Sequence, residues 1–260
     1  ASDVYKRQVE ARIVRAGRFE DYLRRLEEGL RRGPVVLVGP KGVGKSTLAI
    51  YALWELLREG GFYGVVKIEE LTDVNARLGL ENFLKAYERD FADAFGRLII
   101  LYDPSPAAAY TVYGVETETG STVANTVEQL ARLAWLGGLS MIVVVPSDVY
   151  NALGDEIKNL LGRYRLDVDL SGEEYIGKLL EEYSGCALAE EAKREIVKKI
   201  LQFREGYALI ARLAGEELRR SGCRAKGIEE LLEEAEGDAL AFIVHYVNKL
   251  LTVSYTHLRA

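Results

Sequence analysis

The sequence predicts an α/β fold in which a parallel five-stranded sheet is sandwiched by helices and followed by an all-helical lid. Short apolar runs of strand length alternate with segments whose apolar residues recur at helical spacing, which is typical of parallel strands joined by helical crossovers. From residue 171 onwards only the helical spacing continues. We therefore expect a sheet-bearing core over residues 9–170 and a helical lid over residues 171–252.

The elements can be placed in order from these patterns. The predicted strands cover residues 34–38, 65–68, 98–103, 141–145 and 166–170. The predicted helices cover residues 18–32, 46–60, 80–95, 125–136 and 155–161 in the core, and 171–184, 189–203, 205–220 and 227–251 in the lid. Acidic residues follow Ser171 and Ala189, where they would stabilise the positive end of a helix. Alternating Tyr, Thr and Val residues over 107–123 predict a hairpin, which would contact a partner or a nucleic acid or else be a plain surface hairpin.

The segment after the first predicted strand reads G-P-K-G-V-G-K-S-T and leads into a helix, which is the P-loop pattern in its proper context. Gly39, Gly42 and Gly44 would let the backbone turn its N–H groups inward, where they and the helix N-terminus bind phosphate. Lys45 would reach the β- and γ-phosphates, and Ser46 would hold Mg²⁺. The other residues expected at the nucleotide are Pro40, Lys41, Val43 and Thr47. The alternative is a glycine-rich turn that binds nothing.

Polar residues at the ends of later strands would complete the site, because open α/β sheets bind ligands beyond the carboxyl ends of their strands. Asp103 ends the third strand at the Walker B position, where it would hold Mg²⁺ or, alternatively, cap the following turn. Ser147 follows the fourth strand and would face the γ-phosphate, or else simply form a turn. Arg163 and Arg165 precede the fifth strand, where either would stabilise transition-state charge or serve only the structure.

Together, these motifs resemble the AAA+/STAND branch of the P-loop ATPases over about residues 17–220. The resemblance is to the archaeal ATPase family in particular and, more distantly, to origin-recognition-type initiators. It includes Leu161-Gly162-Arg163 before the lid and the lid segment 204–211. The resemblance implies a sheet of strand order 5-1-4-3-2, ATP and Mg²⁺ bound between core and lid, and a nucleotide-driven switch.

The sequence departs from this family at the residue after Asp103. The family places a second acid there to polarise the attacking water, whereas this chain has Pro104. We therefore expect slow hydrolysis or a base from elsewhere. The candidates are Glu70, its neighbour Glu69 and, more weakly, Glu116 and Glu118, each of which could equally be a solvated surface acid.

A second departure lies in the lid. AAA+ proteins with a sensor arginine would carry it at the position of Leu209, and Arg212 lies nearly one turn further along. We therefore expect the lid to contact the γ-phosphate less closely than in AAA+ proteins that carry this arginine.

Bulk properties restrict the partners and the compartment. The net charge of −6 does not indicate a nucleic-acid-binding protein, although a local basic patch stays open. Neither a membrane span nor a signal peptide is visible, so we expect a cytoplasmic protein in which Cys186 and Cys223 are reduced. The terminal strings 1–8 and 253–260 resemble sequencing-adapter read-through and are expected to be non-native.

The leading interpretation is an ATP-binding, Mg²⁺-dependent ATPase that acts as a molecular switch between ATP and ADP states. Its other partner would be an unidentified protein or a second copy of the chain. The alternatives are a DNA-associated initiator or loader, an interaction module that binds nucleotide with little hydrolysis, and a small-molecule kinase built on the same loop.

Overall fold

The computed structural model describes residues 14–60, 62–68, 70–71, 73–90, 97–104, 118–134 and 139–257. Within these residues five strands form one sheet, in which every neighbouring pair is parallel. The strands are β1 (Pro34–Gly39), β2 (Phe62–Ile68), β3 (Arg97–Tyr102), β4 (Ser140–Pro146) and β5 (Arg165–Asp167). Their order is β2-β3-β4-β1-β5, which confirms the predicted order 5-1-4-3-2.

Helices precede, connect and follow these strands. Those before β5 are α1 (Phe19–Leu30), α2 (Lys45–Glu59), α3 (Val74–Asp90), α4 (Glu118–Ala134), α5 (Ser147–Ala152) and α6 (Asp155–Gly162). Those after β5 are α7 (Glu173–Ser184), α8 (Glu190–Leu201), α9 (Tyr207–Arg220), α10 (Lys226–Glu234) and α11 (Ala239–His257). Among the described helices, none has the length and apolarity that spanning a bilayer requires.

The chain divides into two compact units. The sheet unit contains Asp21–Gly39 and Lys45–Val168. The helical unit contains the described residues up to Glu20, the short loop Pro40–Gly44 and the described residues from Asp169 onwards.

One core cluster of the sheet unit lies between one face of the sheet and helices α4, α5 and α6. Strands β1 and β4 are buried along their whole length, because they occupy the middle of the sheet. This explains why they read as unbroken apolar runs. The cluster includes Val36, Val38, Ile100, Tyr102, Met141, Val143 and Val145 from the sheet, and Val127, Leu130, Leu133, Tyr150 and Ile157 from the helices.

The strand register brings the predicted site residues to one edge of the sheet. Gly39 at the end of β1 lies opposite Pro146 at the end of β4. Tyr102 at the end of β3 lies opposite Ile68 at the end of β2. The P-loop, Asp103, Ser147 and the turn after β2 therefore all leave the sheet at its carboxyl edge.

Several element boundaries differ from those predicted. Strand β5 stops at Asp167 instead of continuing to residue 170, because the chain turns where the Asp169 carboxylate accepts the Ser171 N–H at 3.1 Å. Helix α3 begins at Val74 instead of residue 80, and the Asp73 carboxylate caps it by accepting the Ala76 N–H at 2.8 Å.

The single helix predicted over residues 227–251 is wrong. Two helices, α10 and α11, occupy this segment. Between them Glu236 and Gly237 have φ values of 48° and 78°, in the left-handed region that ends a helix. The Asp238 carboxylate then accepts the Ala241 N–H at 2.8 Å and caps α11.

The hairpin predicted over residues 107–123 is wrong for residues 118–123. Residues 107–117 lie outside the described residues, and the chain is helical from Glu118. The expected pair of reduced cysteines is also wrong, since Cys186 and Cys223 form a disulfide with their Cα atoms 5.7 Å apart. The reason is that Gly215 lets α9 pack closely against α7, where a Cβ at this position would lie 2.8 Å from the Tyr183 Cβ. The ends of the two helices therefore meet, and each cysteine follows one of these ends.

Candidate nucleotide-binding site

The loop between β1 and α2 has the backbone conformation that its glycines predict. Gly42 and Gly44 have φ values of 71° and 99°, which residues with a Cβ rarely adopt. Gly42 also has no room for a side chain, because a Cβ there would lie 2.7 Å from the Gly206 Cα. Val43 is buried and anchors the loop, while Pro40 and Lys41 are partly exposed. The loop is therefore fixed by packing as well as by its sequence.

The lysine of the P-loop motif lies inside the loop. Its ammonium Nζ donates a hydrogen bond to the Gly39 carbonyl at 2.8 Å, and the Lys45 side chain is only 6% exposed. A buried ammonium is costly unless it is paired. A phosphate would offer it a charged acceptor in exchange for a neutral carbonyl, and charge-assisted hydrogen bonds are roughly twice as strong as neutral ones.

The start of α2 is joined to the end of β3 by one side-chain hydrogen bond. The Ser46 hydroxyl donates to the Asp103 carboxylate with an Oγ–Oδ1 distance of 2.9 Å. A hydroxyl and a carboxylate side by side are oxygen ligands of the kind that Mg²⁺ prefers. Among the residues that the structure describes, no group of three or more His, Cys, Asp or Glu side chains could hold a metal on its own. Ser46 and Asp103 therefore fit a Mg²⁺ ion whose other ligands are phosphate oxygens and water.

The electrostatics of Asp103 fit a cation site. Burial raises the pKa of its carboxyl above the usual value, against the opposing effects of the Ser46 hydrogen bond and the positive charges of Lys45 and Lys67. A half-buried carboxylate of this kind is stabilised by a nearby cation, and Mg²⁺ would supply a double charge.

Of the remaining core residues predicted for the site, Ser147 reaches the carboxyl edge of the sheet. Arg163 and Arg165 do not, because Arg165 begins β5 opposite Val36 and both arginines therefore lie at the amino end of that strand. Ser147 is the first residue of α5, directly after β4, and β4 lies between β1 and β3 as expected. Arg163 is exposed and follows α6. The guanidinium of Arg165 instead donates to Asp167 at 2.8 Å and lies 4.6 Å from the centre of the Tyr150 ring. Arg165 is therefore held by Asp167 and Tyr150, and a role of either arginine at the nucleotide stays a prediction.

Two of the four acids considered as the catalytic base, Glu70 and Glu118, lie within the described residues. Glu70 is exposed and lies two residues beyond Ile68, the last residue of β2. Glu118 is the first residue of α4. Glu69 and Glu116 lie outside the described residues.

Within the helical unit, the tip of the loop is hydrogen-bonded to the start of α9. The Gly206 N–H donates to the Lys41 carbonyl at 2.9 Å, and the Leu209 N–H donates to the Gly42 carbonyl at 3.3 Å. The position expected for a sensor arginine therefore supplies a backbone contact. Arg212 is engaged elsewhere, since its guanidinium donates to Glu216 at 3.0 Å.

Comparison with protein-family models and with curated proteins finds no match. Solved structures do match, among them S. cerevisiae Hsp104 in its casein complex, with a TM-score of 0.52, 14% identity and coverage of 86% of this chain and 41% of the Hsp104 chain. Another is Cdc6p from Pyrobaculum aerophilum, with a TM-score of 0.50, 15% identity and coverage of 83% of this chain and 66% of that one. Both belong to the AAA+ ATPases. The chain has the AAA+ fold.

Three residues that the sequence analysis missed lie near Asp103 in this AAA+ fold. Lys67 on β2 contributes positive charge to Asp103, and the Thr126 hydroxyl is close enough to the Tyr102 phenol to lower its pKa. The sequence does contain a signal for Lys67, because a lysine there interrupts an apolar strand. Its significance depended on β2 lying next to β3, which only the resemblance to a known family implied.

Proposed function

We propose that the chain is an ATP-binding, Mg²⁺-dependent ATPase of the STAND type that acts as a nucleotide-driven switch. The hydrogen bond between Ser46 and Asp103 carries the proposal, because it joins the two halves of a Mg²⁺-phosphate site from residues 57 positions apart. A glycine-rich turn without function would not require an acid at that place.

The residues would share the work as follows. The amides of the loop and the ammonium of Lys45 would bind the β- and γ-phosphates, which are held by position and charge without covalent chemistry. Ser46 and Asp103 would hold Mg²⁺, which when bound neutralises charge on the phosphates. Glu70 is our candidate for the base that orients the attacking water. Ser147 would contact the γ-phosphate. Arg163 precedes β5 at its amino end, so it would stabilise transition-state charge in a neighbouring copy of the chain.

Nucleotide titration tests the phosphate site directly. Calorimetry of the parent protein with ATP and Mg²⁺ should show saturable binding, and Lys45→Ala should weaken it at least tenfold, because the buried ammonium faces the phosphates. Lys85→Ala is the matched control, since the Lys85 ammonium pairs with Glu81 on the exposed face of α3. Equal affinity of the Lys45 and Lys85 variants for ATP would disprove the assignment.

A DNA-associated initiator is the second candidate, and the similarity in fold to Cdc6p is what favours it. Such a protein should bind duplex DNA with an affinity that falls steeply with salt. Binding of the ATP-loaded protein to duplex DNA, measured from 50 to 200 mM salt, distinguishes the two candidates. A flat or absent response favours the switch without DNA.

A further inference from the structure

A buried polar side chain occupies the helix that covers the sheet next to Asp103. Thr126 on α4 is fully buried, at 0% exposure, and its helix packs into the apolar core through Val123, Val127 and Leu130. A hydroxyl in such surroundings is costly unless it is hydrogen-bonded. The contacts of Thr126 therefore indicate the role of this hydroxyl.

The Thr126 hydroxyl lies between the segment after β2 and the end of β3. Its Oγ1 accepts the backbone N–H of Leu71 at 3.1 Å, and the hydroxyl is close enough to the phenol of Tyr102 to lower the pKa of that phenol. Leu71 is buried and belongs to the turn between β2 and α3, whereas Tyr102 is the last residue of β3 and precedes Asp103. One side chain thus connects the turn after β2 to the strand that carries Asp103.

A second hydrogen bond, one helical turn further along α4, joins α4 to the first turn of α3. The Arg77 guanidinium Nε, on α3, donates to the Gln129 side-chain oxygen at 3.1 Å. Residues three apart lie on one face of a helix, so Thr126 and Gln129 act on the β2–α3 segment from the same side.

The turn held in this way carries Glu70. Ile68 and Tyr102 are paired in the sheet, so Glu70 and Asp103 follow neighbouring strands at the same edge. The two acids also act on one phenol. Burial, together with the negative charges of Asp103 and Glu70, raises the pKa of Tyr102 to about 12. The pairing of Ile68 with Tyr102 therefore places Glu70 at the sheet edge at which Mg²⁺ is proposed to bind.

We propose that Thr126 is a positioning residue that fixes the β2–α3 turn against β3, so that the Glu70 carboxylate orients the water that attacks the γ-phosphate. The inference rests on the proposed ATPase function. In this step the water oxygen forms a bond to the γ-phosphorus while the bond from that phosphorus to the bridging oxygen of ADP breaks. Glu70 takes the proton of the water, and the products are ADP and inorganic phosphate.

The matched pair Thr126→Val and Thr126→Ser tests this role. Valine keeps the shape and removes the hydroxyl, so the turn loses its anchor, while serine keeps the hydroxyl. We expect Thr126→Val to lower kcat roughly tenfold to hundredfold, as displacement of a reacting group by about 1 Å does. The affinity for ATP should stay within about twofold, because the residue acts on catalysis and not on phosphate binding. Thr126→Ser should retain most of the parent kcat.

A double-mutant cycle with Glu70→Gln separates positioning from general damage to the fold. If Thr126 acts through Glu70, the double variant should be no slower than Glu70→Gln alone, because the two residues work as a unit. Multiplication of the two losses would overturn the inference, as would an unchanged kcat in Thr126→Val. Gln129→Ala, at a half-buried position, provides a second variant should Thr126→Val not fold. It should lower kcat severalfold without changing ATP affinity, and no change would count against the proposal.

Two experimental results distinguish failure of this inference from failure of the proposed function. Parent protein that binds ATP but shows no multiple turnover would overturn the role of Thr126 and Glu70 while leaving the nucleotide site in place. Parent protein that does not bind ATP would overturn both.

Discussion

Removal of the disulfide between Cys186 and Cys223 should destabilise the helical unit without affecting the sheet unit. The bond closes a loop with a sequence separation of 37 residues, all within the helical unit. It connects the ends of α7 and α9, which pack closely at Gly215. The perturbation is the double variant Cys186→Ser/Cys223→Ser, or the parent protein treated with a reductant.

The magnitude follows from the length of the closed loop. For 37 residues the chain-entropy relation gives about 4 kcal/mol of stabilisation at 25 °C, because the crosslink removes conformations from the unfolded chain. Real values are often smaller, since compact unfolded chains have fewer conformations to lose. With a urea dependence of about 2 kcal/mol per molar, the unfolding midpoint of the helical unit should fall by up to about 2 M.

The chain contains an internal control for this measurement. Both tryptophans, Trp54 and Trp135, fall within the sequence of the sheet unit, so tryptophan fluorescence monitors that unit. Far-UV circular dichroism also reports the helices α7 to α11. Reduction should move the dichroism transition to lower urea and leave the fluorescence transition in place. Equal midpoints with and without reductant, or two titratable thiols in native protein purified without reductant, would refute the reasoning.

Three further substitutions give distinct outcomes. Because burial raises the pKa of Asp103, the folded state keeps this proton to higher pH than the unfolded state, and stability should fall as pH rises between the two pKa values. Asp103→Asn should abolish that fall in thermal unfolding without Mg²⁺, raise the melting temperature at neutral pH, retain ATP binding and lose turnover. Gly42→Ala forces a Cβ to 2.7 Å from the Gly206 Cα at a left-handed φ and should cost about 1–3 kcal/mol in urea unfolding. Gly79→Ala is its control, since open space surrounds Gly79 on α3 and alanine there should stabilise by up to about 1 kcal/mol. Arg163→Ala should lower phosphate release by roughly a thousandfold at unchanged ATP affinity, if this arginine stabilises transition-state charge. Unchanged release would remove it from the site.

The sheet and its strand order could be predicted because two kinds of information agree. Strands β1 and β4 are buried on both faces, so their sequences are continuous apolar runs that need no pairing information to be recognised. The order of the strands came from the resemblance of the motifs to a known family. The contact between Ser46 and Asp103 follows from that order, since both residues leave the sheet at one edge.

The disulfide could not be predicted, because its cause is the packing of two helices. Two cysteines in 260 residues fit free thiols as well as a pair, and no spacing rule separates these cases. What decides is the close approach of α7 and α9 at Gly215. In the sequence, Gly215 lies inside a predicted helix, and glycine there indicates only a weaker helix.

The role of Thr126 was hidden for a related reason. The residue falls on the apolar stripe of α4 with Val123, Val127 and Leu130, and a threonine there reads as a tolerated core residue. Its hydroxyl acquires meaning only when the turn after β2 and the end of β3 are brought to it from 55 and 24 residues away. A buried polar side chain on a helix can therefore hold neighbouring segments in place. This role is visible only in the tertiary structure. The same reasoning explains why the acid missing beside Asp103 need not mean the loss of hydrolysis: a neighbouring strand can supply a carboxylate at the same edge, provided that a buried contact holds its turn in place.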